Sequence, residues 1–397
     1  MINIVSLIVL VLFFFALWHN SKNVSFSLLF VAIISSLTSI ANDNWNLIFI
    51  FIAIIIALYN KFISISLKRF IYLFVSWAVF ACLVFLSILN GGDIVNIIGK
   101  SIKLLILFSL LLFDYSAISK NELLVSIRIF AIFSILSFPF ICIYDAPDGG
   151  FIIDRFSGFS YDANFFALTA LVFLIILDLT TPKRETFLKV ILFLFILFSQ
   201  SWSTFFLWAI YRVIGFKNIT SLGVKYVKYL PLLLTILTVS FIYYLYTYVG
   251  GLTNNGVDGD ITIYISNKLN SLLFRFRAMI GGYEYIVSDL NTLLFGMGSG
   301  RTAILFGRVF HNLYFQTLFD HGLIFSLLFL LQLNYALSLK SKLTYGILSL
   351  LFLHNMLFDN FYTFIFPFTI FIFSASLGII NDNNKGVIDD DNNFNIR

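Results

Sequence analysis

Charge is what this chain has least of: 11% of its 397 residues are Asp, Glu, Lys or Arg. A water-soluble domain carries about a quarter, because its surface has to be solvated. With 60% of residues hydrophobic, a water-exposed fold would present large apolar patches and aggregate. Lipid is the solvent that suits the composition. The length would suggest roughly two or three domains in a soluble chain. In lipid a single helical bundle over 1–380 is expected instead.

Cysteine is scarce as well. Cys82 and Cys142 both fall inside apolar runs, which excludes a disulfide framework and a thiol metal-ligand spacing. No HExxH, CxxC or carboxylate cluster is present, so no metal and no cofactor is expected. The stretch Gly296-Met297-Gly298-Ser299-Gly300 lacks the lysine and the strand–helix setting of a phosphate loop. It reads as a flexible turn ahead of Arg301. The first apolar run has neither a basic leading segment nor a small-residue cleavage site, so it reads as a retained helix. Proline and glycine are sparse within the apolar runs, and the two halves of the chain differ. The internal repeats and broken helices usual in transporters are therefore not expected.

What the chain has is apolar runs of spanning length, roughly 17–25 residues or slightly shorter. They cover 2–18, 24–40, 45–59, 70–89, 97–113, 121–143, 163–180, 187–200, 203–216, 229–247, 311–335, 343–356 and 360–379. The predicted fold is an all-α, polytopic transmembrane bundle of about 12–14 helices. The turn Gln200-Ser201-Trp202-Ser203, with Lys189 and Lys217 flanking the pair, divides 187–216 into a hairpin. The net charge of +5 reports topology and not a nucleic-acid partner. Lys61/Lys68/Arg69, Lys183/Arg184, Lys217/Lys225/Lys228 and Lys340/Lys342 are expected in the cytoplasm. Alternation then puts 41–45, 90–96, 144–162, 248–310 and 357–359 outside, together with the N-terminus. The Asn- and Asp-rich tail 381–397 is expected to be cytoplasmic and disordered.

The two longer outer segments, 144–162 and 248–310, exceed what helix connections need. Within the second, Leu269, Leu272, Leu273, Phe276, Ile280, Tyr283 and Ile286 recur at helical steps. They predict an amphipathic helix over 268–287 that lies on the membrane face or caps the bundle. These segments also hold Arg155, Arg275, Arg277, Arg301 and Arg308. Arginine presents a planar fork of donors that grips phosphate oxygens in pairs. Solvation, or pairing with Asp258, Asp260, Glu284 and Asp289, is the competing role for each. Lys100 and Lys103 open the span 97–113, where they either snorkel or face a phosphate at bilayer depth. Arg128 lies nearer the cytoplasmic end and reads as snorkelling. His311 opens the next span and is the available general base. A structural hydrogen bond is the commoner role for a lone histidine. His321 lies ten residues on, off the same face.

Three pieces stand out: Arg155-Phe156-Ser157-Gly158 with Asp162-Ala163-Asn164; the turn Ser199-Gln200-Ser201-Trp202-Ser203-Thr204; and Arg275/Arg277 through Gly296-Met297-Gly298, Arg301 and His311-Asn312 to Tyr314 and Gly322. Together, over about 155–325, they resemble the O-antigen polymerase and ligase family of bacterial inner membranes. The resemblance implies a metal-independent glycosyltransferase at the periplasmic face. A polymerase would move a growing glycan from undecaprenyl pyrophosphate to the next lipid-linked repeat unit; a ligase would move it to lipid A core. Outside the family, a flippase for lipid-linked sugars is the competing class. The family's loop arginines carry over to Arg155, Arg277 and Arg301, and its histidine to His311. Arg275 competes with Arg277 for one place. Trp202 stands where many relatives carry arginine, which takes an anion-binding group from that turn. The expected site thus has His311, Arg301 and Arg277 in catalysis. Arg155, Arg275, Arg308, Lys100, Lys103, Asn164 and Asn312 hold pyrophosphate and sugar. The implied partners are a lipid-linked oligosaccharide, membrane lipid and a chain-length regulator protein.

Overall fold

The computed structural model describes residues 2–21, 23–35, 43–86, 94–141, 143–145, 151–153, 155–157, 162–182, 184–249, 263–298, 301–307, 310, 312–356 and 365–388. Seventeen α-helices make up 85% of these residues. In chain order they are α1 (Ile2–Ser21), α2 (Val24–Ser35), α3 (Asp43–Tyr59), α4 (Leu67–Leu86), α5 (Ile94–Leu112), α6 (Lys120–Ile141), α7 (Ala163–Thr180), α8 (Thr186–Phe198) and α9 (Trp202–Ile214). There follow α10 (Phe216–Tyr226), α11 (Leu230–Val249), α12 (Ile263–Ser288), α13 (Leu290–Phe295), α14 (Arg301–Phe306), α15 (Leu313–Ser338), α16 (Lys342–His354) and α17 (Ile365–Ile388). Each of the thirteen apolar runs becomes a helix. Among the described residues, four helices are long and apolar enough to cross a membrane: Leu67–Leu86, Ala163–Thr180, Leu230–Thr247 and Leu313–Ser338. The molecule is an all-α bundle of the membrane type.

Departures from the sequence expectation are local. Two short antiparallel ladders appear: β1 (Ile63–Ser64) with β2 (Asp114–Tyr115), and β3 (Ile143–Asp145) with β4 (Phe151–Ile153). The 248–310 segment carries three helices, because α12 finds an apolar partner. Phe276 packs on Phe241, Tyr283 on Tyr243 and Tyr246, and Ile286 is buried. The expected face from Phe276 onward thus docks on α11; the side chains of Leu269, Leu272 and Leu273 lie outside the described set. The basic stretch around Lys217 and Lys225 is a helix, α10, and not a loop. It can approach α16 closely because Gly223 and Gly346 lie at the contact: a Cβ on Gly223 would sit 2.7 Å from the Tyr345 carbonyl oxygen. The last helix runs through Asn381 to Ile388, past the expected start of the disordered tail. Extending an existing helix costs far less than nucleating one, even through residues of modest propensity.

Phenylalanine builds the core. All twelve of the largest fully buried side chains among the described residues are Phe. Phe30 stacks on Phe173 and meets Phe368 edge-on; Phe80 stacks on Phe108, beside Phe325 and Phe329. Such pairs add about 0.5–1.5 kcal/mol each beyond area burial. Helix α7 is buried over most of its length, whereas only a minor part of α4 and α11 is buried. The exposed sides of α4 and α11 carry Phe70, Phe74, Leu232, Ile236 and Phe241, which suit lipid.

One end of the bundle gathers the basic connections. Here β1 meets β2, Arg69 pairs with Asp114, Arg128 with Glu185, and Lys189 and Arg212 with Asp178. Lys340 joins them, its ammonium donating to the Phe113 carbonyl at 2.6 Å. Burial brings the Lys340 pKa down to about 8; nearby Asp114 opposes that shift and Arg69 adds to it. A lysine whose folded pKa lies below its unfolded value penalises the fold once the unfolded chain takes up the proton. Stability should therefore rise with pH between about 8 and 10.5. In thermal melts across this window the native protein gains roughly 2–4 °C over Lys340→Met. Parallel curves for the two proteins would refute the assignment.

Candidate functional site

The opposite end is polar in a continuous way. Arg155 lies half-buried at the start of the network, donating from Nε to the Ser199 carbonyl (2.9 Å) and from Nη2 to Asn164 Oδ1 (2.8 Å). Asn164 is itself placed by Asp162, the N-cap of α7, whose carboxylate accepts from both its backbone and its side-chain N–H. The turn between α8 and α9 continues the path. The Ser199 hydroxyl accepts from the Ser201 N–H, and the Ser201 hydroxyl donates to Thr204 at 3.0 Å. Ser203 and Thr204 hydroxyls then meet His354 Nε2 at 3.1 and 3.4 Å. His354 is fully buried at the end of α16.

From there the path enters α15. The Leu313 N–H donates to the Asn355 carbonyl, and Asn312 Nδ2 to the Met356 carbonyl at 2.9 Å. Asn312 is the N-cap of α15: its Oδ1 accepts from the Phe315 N–H, satisfying a donor the helix start would otherwise orphan. One turn on, Gln316 Oε1 accepts from the Phe310 N–H, and its Nε2 donates to Thr302 at 2.6 Å. Thr302 donates to Asp320 Oδ1 at 3.1 Å, and Asp320 Oδ2 pairs with Lys100 of α5 at 3.0 Å. Hydrogen bonds thus join Arg155 to His354 and Asn312 to Lys100, and the backbone step from His354 to Asn355 connects the two stretches.

Helix α15 is not continuous here. Gly322 adopts φ 77°, ψ −178°, a conformation essentially reserved for glycine. The break frees carbonyls at the preceding turn, and buried carbonyls need partners. Those of Phe319 and Asp320 accept from the N–H groups of Met297 (2.8 Å) and Gly298 (3.1 Å). The reading of Gly296–Gly300 as a flexible turn is corrected to this extent: Gly296 to Gly298 are pinned to the break. The expectation that no span is broken is corrected too. A glycine inside an apolar run looked harmless in sequence, because only the approaching backbone of α13 demands the unusual conformation.

The expected site residues therefore fall into distinct places. Arg155, Asn164, Asn312 and Lys100 belong to the network. Lys103 is half-buried one turn beyond Lys100 on α5. Arg301 is half-buried at the start of α14, directly before Thr302, and its N–H faces the Gly298 carbonyl. On α12, Arg275 is half-buried and Arg277 exposed. Arg308 and His311 lie outside the described residues. His321 is buried, its ring against Phe325 at 4.5 Å. The sequence reading passed over Thr302, Gln316, Asp320 and His354. For Asp320 a signal existed: a carboxylate inside an apolar run seldom goes unpaired. Among the described residues no three His, Cys, Asp or Glu side chains gather as a metal site.

A narrow crevice of about 20 Å³ lies between α11, α15 and α16, lined by Pro231, Leu313, Tyr314, Phe329, Leu333 and Phe352. It starts beside Asn312 and follows α15 away from the polar end.

Fold and composition together define a helical membrane-type bundle with a polar network at one end. Compared with known proteins, the chain matches no family model, no curated protein and no solved structure.

Proposed function

We propose that the chain is an O-antigen polymerase of the bacterial inner membrane, with its active site facing the periplasm. It transfers a growing glycan from undecaprenyl pyrophosphate to the next lipid-linked repeat unit. The observation that carries this reading is the pair of hydrogen-bonded stretches, Arg155 to His354 and Asn312 through Thr302 to Lys100, that meet at the His354–Asn355 backbone. It ties together the two segments that bear the arginines, and their residues are the ones that resemble the family.

The chemistry suits these groups. The acceptor hydroxyl oxygen bonds to the anomeric carbon, the carbon–oxygen bond to pyrophosphate breaks, and the leaving oxygen takes the electron pair. Arg301, with Arg277 and Arg155, stabilises the charge gathering there. His311 takes the hydroxyl proton.

A transport reading, a flippase for lipid-linked sugars, has one specific observation in its favour. Discontinuous helices with charged groups at the break are common in transporters, and α15 is broken beside Asp320. Deleting the gene in its own host and running the surface glycan on a gel separates the possibilities. Loss of a polymerase leaves single repeat units on the lipid core. Loss of a ligase leaves none. Repeat units trapped on the cytoplasmic side would establish the flippase and overturn the proposal.

A further inference from the structure

We infer that Asp320, held by Lys100, is a positioning residue that sets Arg301 against the broken helix α15. Its two carboxylate oxygens face different elements. Oδ1 accepts from Thr302, the residue after Arg301 on α14, and Oδ2 pairs with Lys100 on α5. The backbone carbonyl of the same residue accepts from Gly298, which in turn faces the Arg301 N–H. Asp320 thus holds the segment before Arg301 through its main chain and the residue after it through its side chain. Gln316, one turn earlier, grips Thr302 and the Phe310 N–H, so the far end of the segment is fastened to the same stretch of α15.

A carboxylate 3% exposed is an expensive fastener. Removing an ion pair from water costs more than packing two apolar groups of similar size, so cohesion alone does not explain it. What the charged pair adds is direction. The carboxylate accepts only along its lone pairs, and the lysine and threonine donors fix which oxygen faces which helix. An apolar side chain would let α14 slide along α15; Asp320 does not. Lys100 is then a support for the carboxylate, which reassigns it from the phosphate-gripping role expected from its position in sequence. The consequence for catalysis rests on the glycosyl-transfer reading; the geometry does not.

The test uses the full chain in nanodiscs and, in parallel, the native host. In hydrogen–deuterium exchange, Asp320→Asn and Lys100→Met should each speed amide exchange across 296–302 by about tenfold. Exchange in α7 should stay as in the native protein, and Lys100→Arg should restore most of the protection. Unchanged exchange across 296–302 in Asp320→Asn overturns the inference, whatever the chain does. Faster exchange throughout the bundle would also overturn it, because the pair would then be a general structural brace. In the host, Asp320→Asn should shorten surface glycan, and Lys100→Arg should keep its length. If Asp320→Asn loosened the segment yet left long glycan, while Arg301→Ala abolished it, the link from position to transfer would be wrong. If Arg301→Ala also left long glycan, the polymerase reading would fail, while the exchange result would still decide the positioning role.

Discussion

Gly322→Ala should abolish accumulation of folded protein, and Gly296→Ala should do nearly the same. The two glycines face each other across the contact between α13 and the break in α15. A Cβ on Gly322 would fall on the Leu294 carbonyl and on the Phe295 nitrogen 2.5 Å away; one on Gly296 would lie 2.5 Å from the Asp320 carbonyl and the His321 nitrogen. These obstacles are backbone atoms and cannot swing aside. Each position also has positive φ, at 77° and 80°. Strain and overlap together should cost about 4 kcal/mol or more, which is a large share of an ordinary stability margin. Gly307 is the built-in control: its φ is 71° but a Cβ there meets nothing within 4 Å. Gly307→Ala should therefore cost only about 1 kcal/mol. Size-exclusion profiles of detergent-extracted protein read the difference. A monodisperse Gly322→Ala protein at native yield would show that the close approach is not needed.

Arg301→Ala should leave the protein in the membrane at native abundance and reduce surface glycan to single repeat units. Removing one preorganised donor from developing negative charge slows a transfer step by roughly 10²–10³-fold. Chain growth repeats that step many times, so even the smaller figure erases long chains. His311→Ala should behave alike, since the acceptor hydroxyl then loses the group that takes its proton. A gel of surface glycan, read beside an immunoblot for the protein, measures both. Persistent long chains in both variants would refute the catalytic assignment. Arg277→Ala is the informative companion, because Arg277 is exposed on α12 and has Arg275 two residues away. Loss of long chains in Arg277→Ala but not in Arg275→Ala, or the reverse, would decide which arginine serves.

The apolar runs were legible because helix formation in lipid is local. Every backbone group must be satisfied within its own segment, so twenty apolar residues are enough to announce a span. The run 163–180 reappears unchanged as α7, and most others shift by a few residues at their ends, while the last helix runs on to Ile388. Helix α10 escaped because Lys217 and Lys225 give its sequence the look of a loop, while Gly223, which lets it lie against α16, says nothing alone. The amphipathic face of α12 was visible as a three- and four-residue rhythm; that it would dock on Phe241, Tyr243 and Tyr246 of α11 was not.

The site divided along the same line. Arginine in two long segments could be noticed one residue at a time, and so could a lysine early in a span. The partner of that lysine lies 220 residues further along the chain, and His354 is 151 residues from the serine it meets. No periodicity relates such pairs. Sequence alone pointed to a helical bundle suited to lipid, to the apolar helices and to the segments that bear cations, because those follow from composition and from hydrogen bonding within each helix. Only the tertiary structure decided that α15 breaks at Gly322, that Asp320 takes Lys100 and Thr302, and that one polar path joins Arg155 to them. Those depend on which backbones come close enough to touch.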